Sequence, residues 1–204
     1  ADTSLGRFEY EYDDVGNRTS KTHEDESTSK REEYEYAQSG EGNRLLEVNG
    51  VPREYNVTGN PSSTAKFRFE YNSQQRPVRV FEVNENQLLA EYQYNSFGAR
   101  IKKVAYSYPR NKFATKKITY YLYDGRKLAA EVAEDGQVLA QYLYYKGQVI
   151  AKLEGRDIYA VHTDHLGTPK VVTSADKTVV WAAEYTPFGE ATVETEQLSL
   201  NLRL

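Results

Sequence analysis

Aromatic residues alternate with polar ones at many places along the chain. Tyr10-Glu-Tyr12 is followed at once by Asp13 and three residues later by Gly16, and related stretches recur. In a β-strand alternate residues point to the same face, so each Tyr-x-Tyr places both rings on one side of a strand. An Asp or Asn closely followed by Gly is typical of a tight hairpin turn, in which Gly adopts a positive φ. Each unit is therefore predicted to be strand, turn, strand.

Nine copies of this unit can be aligned by their aromatic residues and glycines. The clearest copies contain Tyr10, Tyr12, Asp13 and Gly16, then Tyr34 and Tyr36, Tyr92, Tyr94 and Gly98, Tyr121, Tyr123, Asp124 and Gly125, and Tyr142, Tyr144 and Gly147. Two less regular copies are centred on Tyr55 and Tyr71, and the last two diverge, with His162, Asp164, His165 and Gly167 in one and Tyr185, Phe188 and Gly189 in the other. Their irregular spacing suits hairpins whose turns tolerate insertions and does not suit a strict solenoid.

Short β-branched and aliphatic runs follow the turns and complete the hairpins. Residues 170–173 and 178–181 flank a Ser-Ala-Asp-Lys turn and predict one such hairpin. Residues 127–132 favour a helix by propensity, yet they lie between two Tyr-x-Tyr strands, so a strand is predicted there too. The sequence predicts an all-β fold of tandem antiparallel hairpins forming a curved ribbon, part of a shell or barrel, in one repeat domain over residues 1–204.

Two inserts interrupt the repeats. Residues 21–33 are almost wholly polar and predict a solvated hairpin tip or a disordered loop. Residues 107–117 form a basic insert and predict an extended loop. Specific ligand binding is the alternative interpretation of both.

The composition changes this picture in one respect. Hydrophobic residues make up 39% and charged residues 27% of the chain, a balance that alone would suggest disorder. The chain also has 18 Tyr and 7 Phe, however, and disordered segments are poor in aromatic residues. A thin sheet lined by tyrosines is therefore expected, without a thick aliphatic core.

Charge and residue content argue against several functions. A net charge of −4 argues against binding a nucleic-acid backbone. The absence of Cys removes disulfides, thiolate metal sites and a cysteine nucleophile, and no apolar run is long enough for a membrane-spanning helix. The N-terminal residues do not resemble a signal peptide, and the absence of Met suggests a processed chain or an internal piece of a longer protein.

One cluster has the residue types of a metal site. His162, Asp164 and His165 offer two imidazoles and a carboxylate, which suit zinc or a non-haem metal. On a strand, however, residues 162 and 165 point to opposite faces, and the remaining histidine, His23, is remote in sequence. No metal and no cofactor are therefore predicted. No Gly-x-Ser-x-Gly elbow supports a Ser-His-Asp triad, and pairs among 30 acidic residues arise by chance, so no catalytic residue is predicted either.

The tyrosines allow two interpretations. Aromatic faces stack on sugar rings, so an exposed ladder of tyrosines would suit a carbohydrate- or cell-surface-binding module. Alternatively, tyrosines on the same face stack across neighbouring hairpins and stabilise the sheet, at about 0.2–1 kcal/mol per pair. The structural role is favoured because one or two tyrosines occur in almost every repeat.

The repeats resemble the RHS/YD-repeat family, whose pattern is Tyr-x-Tyr-Asp-x-x-Gly-Arg/Asn. The stretch from Tyr10 to Arg18 matches it closely, and the stretch from Tyr94 to Arg100 nearly so. The segment from His162 to Pro169, continued from Trp181 to Glu190, is similar to the region just upstream of the C-terminal core of bacterial RHS proteins. The resemblance covers essentially the whole chain.

The resemblance implies a fold and a function. In this family the repeats form a long β-ribbon that spirals into a hollow shell around a C-terminal toxin, as in Tc-toxin cocoons and in RHS effectors of type VI secretion systems. The implied partners are the rest of the shell, the enclosed toxin, and a secretion-system spike or a partner shell protein. The implied location is secreted or exported from a bacterium. The self-cleaving Asp-Pro-x-Gly core and the toxin of such proteins are not found up to Leu204, so a non-catalytic scaffold is expected.

Overall fold

A computed structural model describes residues 6–37, 43–109, 113–186 and 188–202. The fold is all-β with 61% strand, and the described residues contain no helix. A search of these residues for helices long and apolar enough to span a membrane found none. The predicted all-β class is confirmed.

The chain divides into two compact units. The first comprises Ala1–Tyr92 and Ala105–Ala114, and the second comprises Gln93–Val104 and Thr115–Leu204. Two strands, β10 (Leu88–Tyr94) and β11 (Arg100–Ser107), have residues in both units. The single repeat domain over residues 1–204 stays a prediction.

The first unit is built from antiparallel neighbours. Before β10 its strands are β1 (Arg7–Tyr12), β2 (Arg18–Glu24), β3 (Ser29–Tyr36), β4 (Leu45–Val48), β5 (Val51–Pro52), β6 (Glu54–Tyr55), β7 (Pro61–Ser63), β8 (Phe67–Tyr71) and β9 (Pro77–Glu82). Strands β1 to β5 form a five-stranded sheet in sequence order, and β6 to β10 pair in succession. The polar insert 21–33 lies mostly in β2 and β3, so it forms the polar arms of a hairpin and not a disordered loop.

The second unit contains an uninterrupted antiparallel meander. Its strands after β11 are β12 (Thr115–Asp124), β13 (Lys127–Ala133), β14 (Val138–Tyr145), β15 (Gln148–Glu154), β16 (Asp157–Thr163), β17 (Pro169–Thr173), β18 (Val179–Tyr185) and β19 (Ala191–Glu196). Residues 127–132 are therefore strand, as predicted, and the hairpin at residues 170–181 forms as β17 and β18. The basic insert 107–117 begins in β11 and ends in β12, and its residues 110–112 lie outside the described residues.

The hydrophobic core of the second unit lies on one face of the meander. Cross-strand pairing places Val161, Val172 and Trp181 side by side on this face, and all three are buried. Leu198 and Leu200, which follow the last strand, are buried in the same cluster. The chain therefore leaves the meander across its core face.

Candidate functional site: the links between repeats

A side-chain oxygen shapes the turn in most of the repeats. Asp164 Oδ1 accepts hydrogen bonds from the backbone N–H groups of Leu166 and Thr168, both at 2.9 Å. Gly167 donates its N–H to the Asp164 carbonyl at 3.1 Å and has a φ of 90°. Because an L-residue rarely adopts this φ, the turn requires a residue such as Gly at that position.

The same turn recurs with an interchangeable first residue. The residues that accept bonds two and four positions ahead through a side-chain amide or carboxylate oxygen are Asp13, Asn56, Asn72, Asn95 and Asp164. Thr186 accepts a bond from the Glu190 N–H through its hydroxyl, at 3.2 Å. The divergent His162 copy is thus a repeat turn of the same geometry as the first one.

Hydrogen bonding lowers the pKa of both turn aspartates. At Asp164 the bonds from the Thr168 and Leu166 N–H groups favour the ionised carboxylate and outweigh the cost of burial, so its pKa is lowered. At Asp13 burial acts to raise the pKa, but the bonds from Asn17, Val15 and Gly16 together exceed it and lower the pKa. Both turns are therefore held most firmly by the charged form.

A β-bulge closely follows the turn in seven of the repeat hairpins. In the hairpin of β12 and β13, Leu122 pairs with Ala130 and Tyr123 with Leu128, so Ala129 is an extra residue in the second strand. The equivalent extra residues in the other repeat hairpins are Thr19, Leu46, Ser62, Val78, Ile150 and Lys170. A bulge disrupts the ladder locally and leaves a backbone group in need of another partner.

Tyrosine hydroxyls from the following repeat supply that partner. The Tyr144 hydroxyl donates to the Leu128 carbonyl at 3.0 Å, and Leu128 directly precedes the extra residue Ala129. The other second tyrosines that donate to a carbonyl of the preceding repeat are Tyr55 to Leu45, Tyr71 to Pro61, Tyr123 to Arg100 and Tyr185 to Pro169, at 2.6 to 3.0 Å. These bonds tie five of the repeats to the one before.

Tyr108 makes the same kind of bond without belonging to a recognised repeat. Its hydroxyl donates to the Leu88 carbonyl at 2.9 Å. Leu88 pairs with Phe81 and Ala90 with Val80, so Leu88 also directly precedes an extra residue, Leu89. The link therefore depends on the bulge and on a hydroxyl within reach, and not on the complete motif.

Cations that follow five of the repeat turns cover the ring of a tyrosine in the next repeat. Lys170, which follows the turn of the His162 copy, lies 4.6 Å from the ring centroid of Tyr185. The equivalent contacts are Arg18 over Tyr34, Arg44 over Tyr55, Arg100 over Tyr121 and Lys127 over Tyr144, at 4.4 to 5.3 Å. The Arg of the Gly-x-Arg pattern thus faces an aromatic ring, an arrangement worth about 0.5–1 kcal/mol at exposed sites.

These contacts alter the expected role of the tyrosines. Stacking of rings between hairpins was predicted, whereas the described links run from hydroxyl to carbonyl and from cation to ring. The covered faces of Tyr144 and Tyr185 are not available for stacking on a sugar. This geometry argues against a carbohydrate-binding ladder made of the repeat tyrosines.

The first tyrosine of a repeat has a different environment. Tyr142 is almost fully buried, and its hydroxyl donates to Glu131 Oε1 at 2.6 Å. Burial raises the pKa of Tyr142 strongly, and the bond to Glu131 adds to the increase. Tyr121 is also buried, and the Tyr34 hydroxyl donates to Glu32 Oε2 at 2.6 Å. First tyrosines thus bury their rings or pair with carboxylates.

His162 and Asp164 of the predicted cluster make hydrogen bonds within the fold. His162 Nε2 lies 3.0 Å from the Thr173 hydroxyl on the neighbouring strand, and the Asp164 carboxylate is occupied by the turn. Among the residues that the structure describes, no group of three His, Cys, Asp or Glu side chains is placed to hold a metal ion.

The residues after the last strand form a second set of links. Gln197–Leu202, which we term the C-terminal strap, begin with a bond from the Gln197 N–H to the Val180 carbonyl at 2.9 Å. The Lys152 ammonium, 2% exposed, donates to the Ser199 carbonyl and to Glu154 Oε1. Asn201 Nδ2 donates to Glu131 Oε2 at 2.7 Å. Buried polar groups of β13 and β15 thus hold the strap on the core face.

Sequence reasoning did not single out the cations or the residues that hold the strap. Glu131 and Lys152 lie in strands whose other residues are mostly apolar. The alternation of residue types alone does not distinguish a buried charged side chain from an exposed one. The alternation of Leu198, Leu200 and Leu202 was a usable signal, because period 2 indicates a strand-like segment with one buried face.

Comparisons with known proteins agree with this geometry. A family model described as "Teneurin YD-shell" matches residues 3–203. The tRNA3(Ser)-specific nuclease WapA of Bacillus spizizenii is 27% identical over 188 residues, and the tRNA nuclease WapA of Bacillus subtilis is 28% identical over the same length. Each alignment covers 91% of this chain and 8% of the relative. The chain thus spans under a tenth of the length of these curated relatives.

Solved structures match the fold as well. The TcdB2–TccC3–Cdc42 crystal structure superposes with a TM-score of 0.74 at 14% identity, covering 94% of this chain and 10% of the other. The pore form of the Photorhabdus luminescens Tc holotoxin gives a TM-score of 0.71, also at 14% identity and with the same coverage. The family match over nearly the whole length, together with the repeat geometry, leads to one conclusion: this chain belongs to the teneurin YD-shell family.

Proposed function

We propose that this chain is a wall segment of a longer RHS/YD-repeat shell, which encapsulates or presents a C-terminal toxin domain for delivery or contact-dependent competition. The observation that carries the proposal is the repeated link from the second tyrosine to the preceding bulge, as in Tyr144 to Leu128. Such links extend a ribbon one hairpin at a time, which is what a wall of variable length needs.

The relatives support a toxic cargo. The two Bacillus proteins are named as tRNA nucleases, and this chain corresponds to 8% of each. We assign a nuclease or another toxic activity to a domain outside this segment, because the segment corresponds to only a small share of each nuclease. The proposed partners are the rest of the shell, the enclosed domain, and a secretion-system spike or a partner shell protein. The proposed location is secreted or exported.

Protease protection tests the proposal. The downstream domain of the gene product that contains this segment is digested with trypsin, once in the intact protein and once expressed alone. An enclosed domain is expected to be cleaved at least ten-fold more slowly in the intact protein. Equal rates would contradict enclosure.

A control separates enclosure from simple binding. The 204-residue chain is added in trans to the isolated downstream domain at equimolar and ten-fold excess concentrations. Because a wall segment encloses nothing by itself, no protection is expected from it. Full protection in trans would indicate a binding module in place of a shell.

A further inference from the structure

The face of the second unit opposite its core is apolar and partly exposed. Cross-strand pairing places two rows of side chains on this face. The first row is Leu122, Ala130, Gln141, Leu153 and Ile158, and the second is Leu143, Ala151, Ala160, Thr173 and Val179. None of these side chains is charged, and the C-terminal strap lies on the other side of the sheet. We term the two rows the apolar face.

The corresponding position of the repeat is charged elsewhere in the chain. The residue between the two tyrosines is Leu122 or Leu143 on the apolar face, whereas it is Glu11 and Glu35 in the first two repeats. Those repeats form hairpins with the same bulge after the turn, and the exposed face of an antiparallel sheet is usually polar. The repeat therefore folds with a charge at this position, so leucine there calls for a reason outside the hairpin.

Small residues form the floor of the apolar face between larger ones. Ala130 and Ala151 are buried beneath their neighbours, whereas Leu122, Leu143 and Ile158 are about half-exposed. Large side chains beside alanines leave a shallow trough. A second face with the same rows can set its large side chains into this trough when it crosses the first, as the facing sheets of a β-sandwich do.

The size of the apolar face suits a weak complex. The seven strands from β12 to β18 span about 29 Å, and two rows of side chains about 7 Å apart cover about 14 Å along the strands, which gives about 400 Å². Apolar patches of roughly 300–600 Å² are the largest on a typical monomer and are often functional. Two such faces in contact bury roughly 800–1,000 Å² in total, the range of weak and reversible complexes.

Charged residues lie at two opposite corners of the apolar face. Lys102 lies 5.5 Å from the ring centroid of Tyr120, which is on this face beside the start of β12. Glu184, near the end of β18, adjoins Tyr185, which packs against the core, so Glu184 points to the apolar side. A two-fold axis in the plane of contact exchanges opposite corners, which brings Lys102 of one copy towards Glu184 of the other.

We propose that the apolar face pairs with the same face of a second copy of this chain in a two-fold dimer. The large and small side chains of the two rows, the area and the opposite charges at the two corners all suit this partner. The dimer goes beyond the proposed function because it joins two separate proteins, and it leaves the core face and the strap unchanged.

Sedimentation equilibrium of the 204-residue chain over a concentration series tests the dimer. The wild-type chain is expected to dimerise reversibly in the micromolar range. The variant Leu122→Thr/Leu143→Thr/Ile158→Thr removes apolar area and keeps residues that favour strands, so it is expected to weaken dimerisation at least about ten-fold. The matched control Phe97→Thr/Leu166→Thr/Phe188→Thr removes three exposed apolar side chains from turns and is expected to leave dimerisation unchanged. Circular dichroism verifies that all three chains are folded.

Charge reversal tests the two-fold arrangement without altering the apolar rows. Lys102→Glu and Glu184→Lys are each expected to weaken dimerisation several-fold, because each brings like charges together across the contact. The double variant restores opposite charges at both corners and is expected to return to the affinity of the wild type. A double variant that dimerises more weakly than either single variant would refute the arrangement, even if the triple threonine variant does not fold.

Other results would overturn the inference as a whole. A wild-type chain that stays monomeric at all concentrations, or equal weakening by both triple variants, removes the apolar face as a dimer interface. Flotation of the wild-type chain with vesicles of phosphatidylcholine and phosphatidylglycerol, lost in the Leu122→Thr/Leu143→Thr/Ile158→Thr variant, would assign the face to a lipid surface instead. Protease protection of the downstream domain does not depend on dimerisation, so a protected domain with a monomeric chain rejects only this inference.

Discussion

The hydroxyl of a second tyrosine in this fold makes a specific hydrogen bond to the preceding repeat. At Tyr144 it reaches a carbonyl that a bulge has removed from the regular ladder, while Lys127 of the preceding repeat covers the ring at 5.3 Å. Both contacts come from residues beside a turn, so one short motif supplies the turn of its own hairpin and the attachment site for the next.

Removing one hydroxyl tests this link. Tyr144→Phe leaves the Leu128 carbonyl without its partner and is expected to lower the free energy of unfolding by about 1–2 kcal/mol, as measured by urea denaturation. Tyr145→Phe is the matched control, because Tyr145 is the next residue, is mostly exposed and points to the opposite face. Equal effects of the two variants would show that the hydroxyl link adds no stability.

The turn aspartate makes a pH-dependent prediction. The pKa of Asp164 is lowered in the folded chain, so its contribution is complete above the unfolded pKa, about 3.9, and is lost as pH falls towards the folded pKa. Asp164→Asn keeps the acceptor oxygen, as Asn56, Asn72 and Asn95 do in their own turns. The variant is expected to have a lower Tm than the wild type at pH 7, because it lacks the carboxylate charge that strengthens these bonds, and to lose less Tm between pH 5 and pH 3.

Two controls complete that test. Asp164→Ala removes the acceptor and is expected to lower the Tm at both pH values. Glu134→Gln removes an exposed carboxylate in a turn at the other end of the strands and is expected to leave the acid sensitivity of the wild type unchanged. An Asp164→Asn chain as acid-sensitive as the wild type would refute the assignment.

At the residue scale the sequence predicted the turns well and the links poorly. Asp164 and Gly167 indicate a turn. Few other residues accept hydrogen bonds from the backbone N–H groups of a turn, as Asp does, or adopt a positive φ, as Gly does. Nothing local indicates that Lys170 faces Tyr185, since that contact exists only after two hairpins have paired with a bulge between them.

The hairpin is the unit at the next scale, and its bulges follow a rule. In seven repeat hairpins the extra residue lies in the second strand, shortly after the turn. In the hairpin of β18 and β19 the extra residue is Glu194, farther from the turn. The recurring position gives the seven hairpins a similar local twist. Sequence alternation predicted the strands but not these bulges, because one extra residue changes pairing without altering composition.

The C-terminal strap is a separate element that closes the core face. Leu200 is 3% exposed within the cluster that contains Trp181. Leu200→Ala is therefore expected to cost about 2–4 kcal/mol in urea denaturation, through lost burial and the cavity left behind. Leu143→Ala, at a half-exposed position on the other face, is expected to cost under about 1 kcal/mol. Similar losses of unfolding free energy in Leu200→Ala and Leu143→Ala would show that the strap packs weakly.

The buried groups beneath the strap make a second test of that element. Lys152 has its ammonium enclosed between Glu154 and the Ser199 carbonyl. Lys152→Met keeps the apolar stem and removes the charge, so the strap backbone loses a hydrogen bond without a buried ion being left behind. Faster amide hydrogen exchange confined to residues 197–202 and their neighbours is expected, whereas unchanged exchange would remove Lys152 from this role.

At the scale of the whole molecule, side chains of three kinds connect the described hairpins. Turn carboxylates accept backbone bonds, tyrosine hydroxyls join repeats, and the buried Glu131 and Lys152 hold the strap. The fold class and the family could be predicted from the sequence because the repeat motif recurs nine times. The strap was not, since it depends on which residues a paired sheet brings together.

Electron cryomicroscopy of the gene product that contains this segment would show whether the segment is part of a shell wall. We expect residues 6–202 to form part of a continuous wall of hairpins, with second tyrosines bonded to the preceding bulge and density for a downstream domain on the inside. A map in which this segment stands apart as an open module, with no enclosed density, would contradict this expectation.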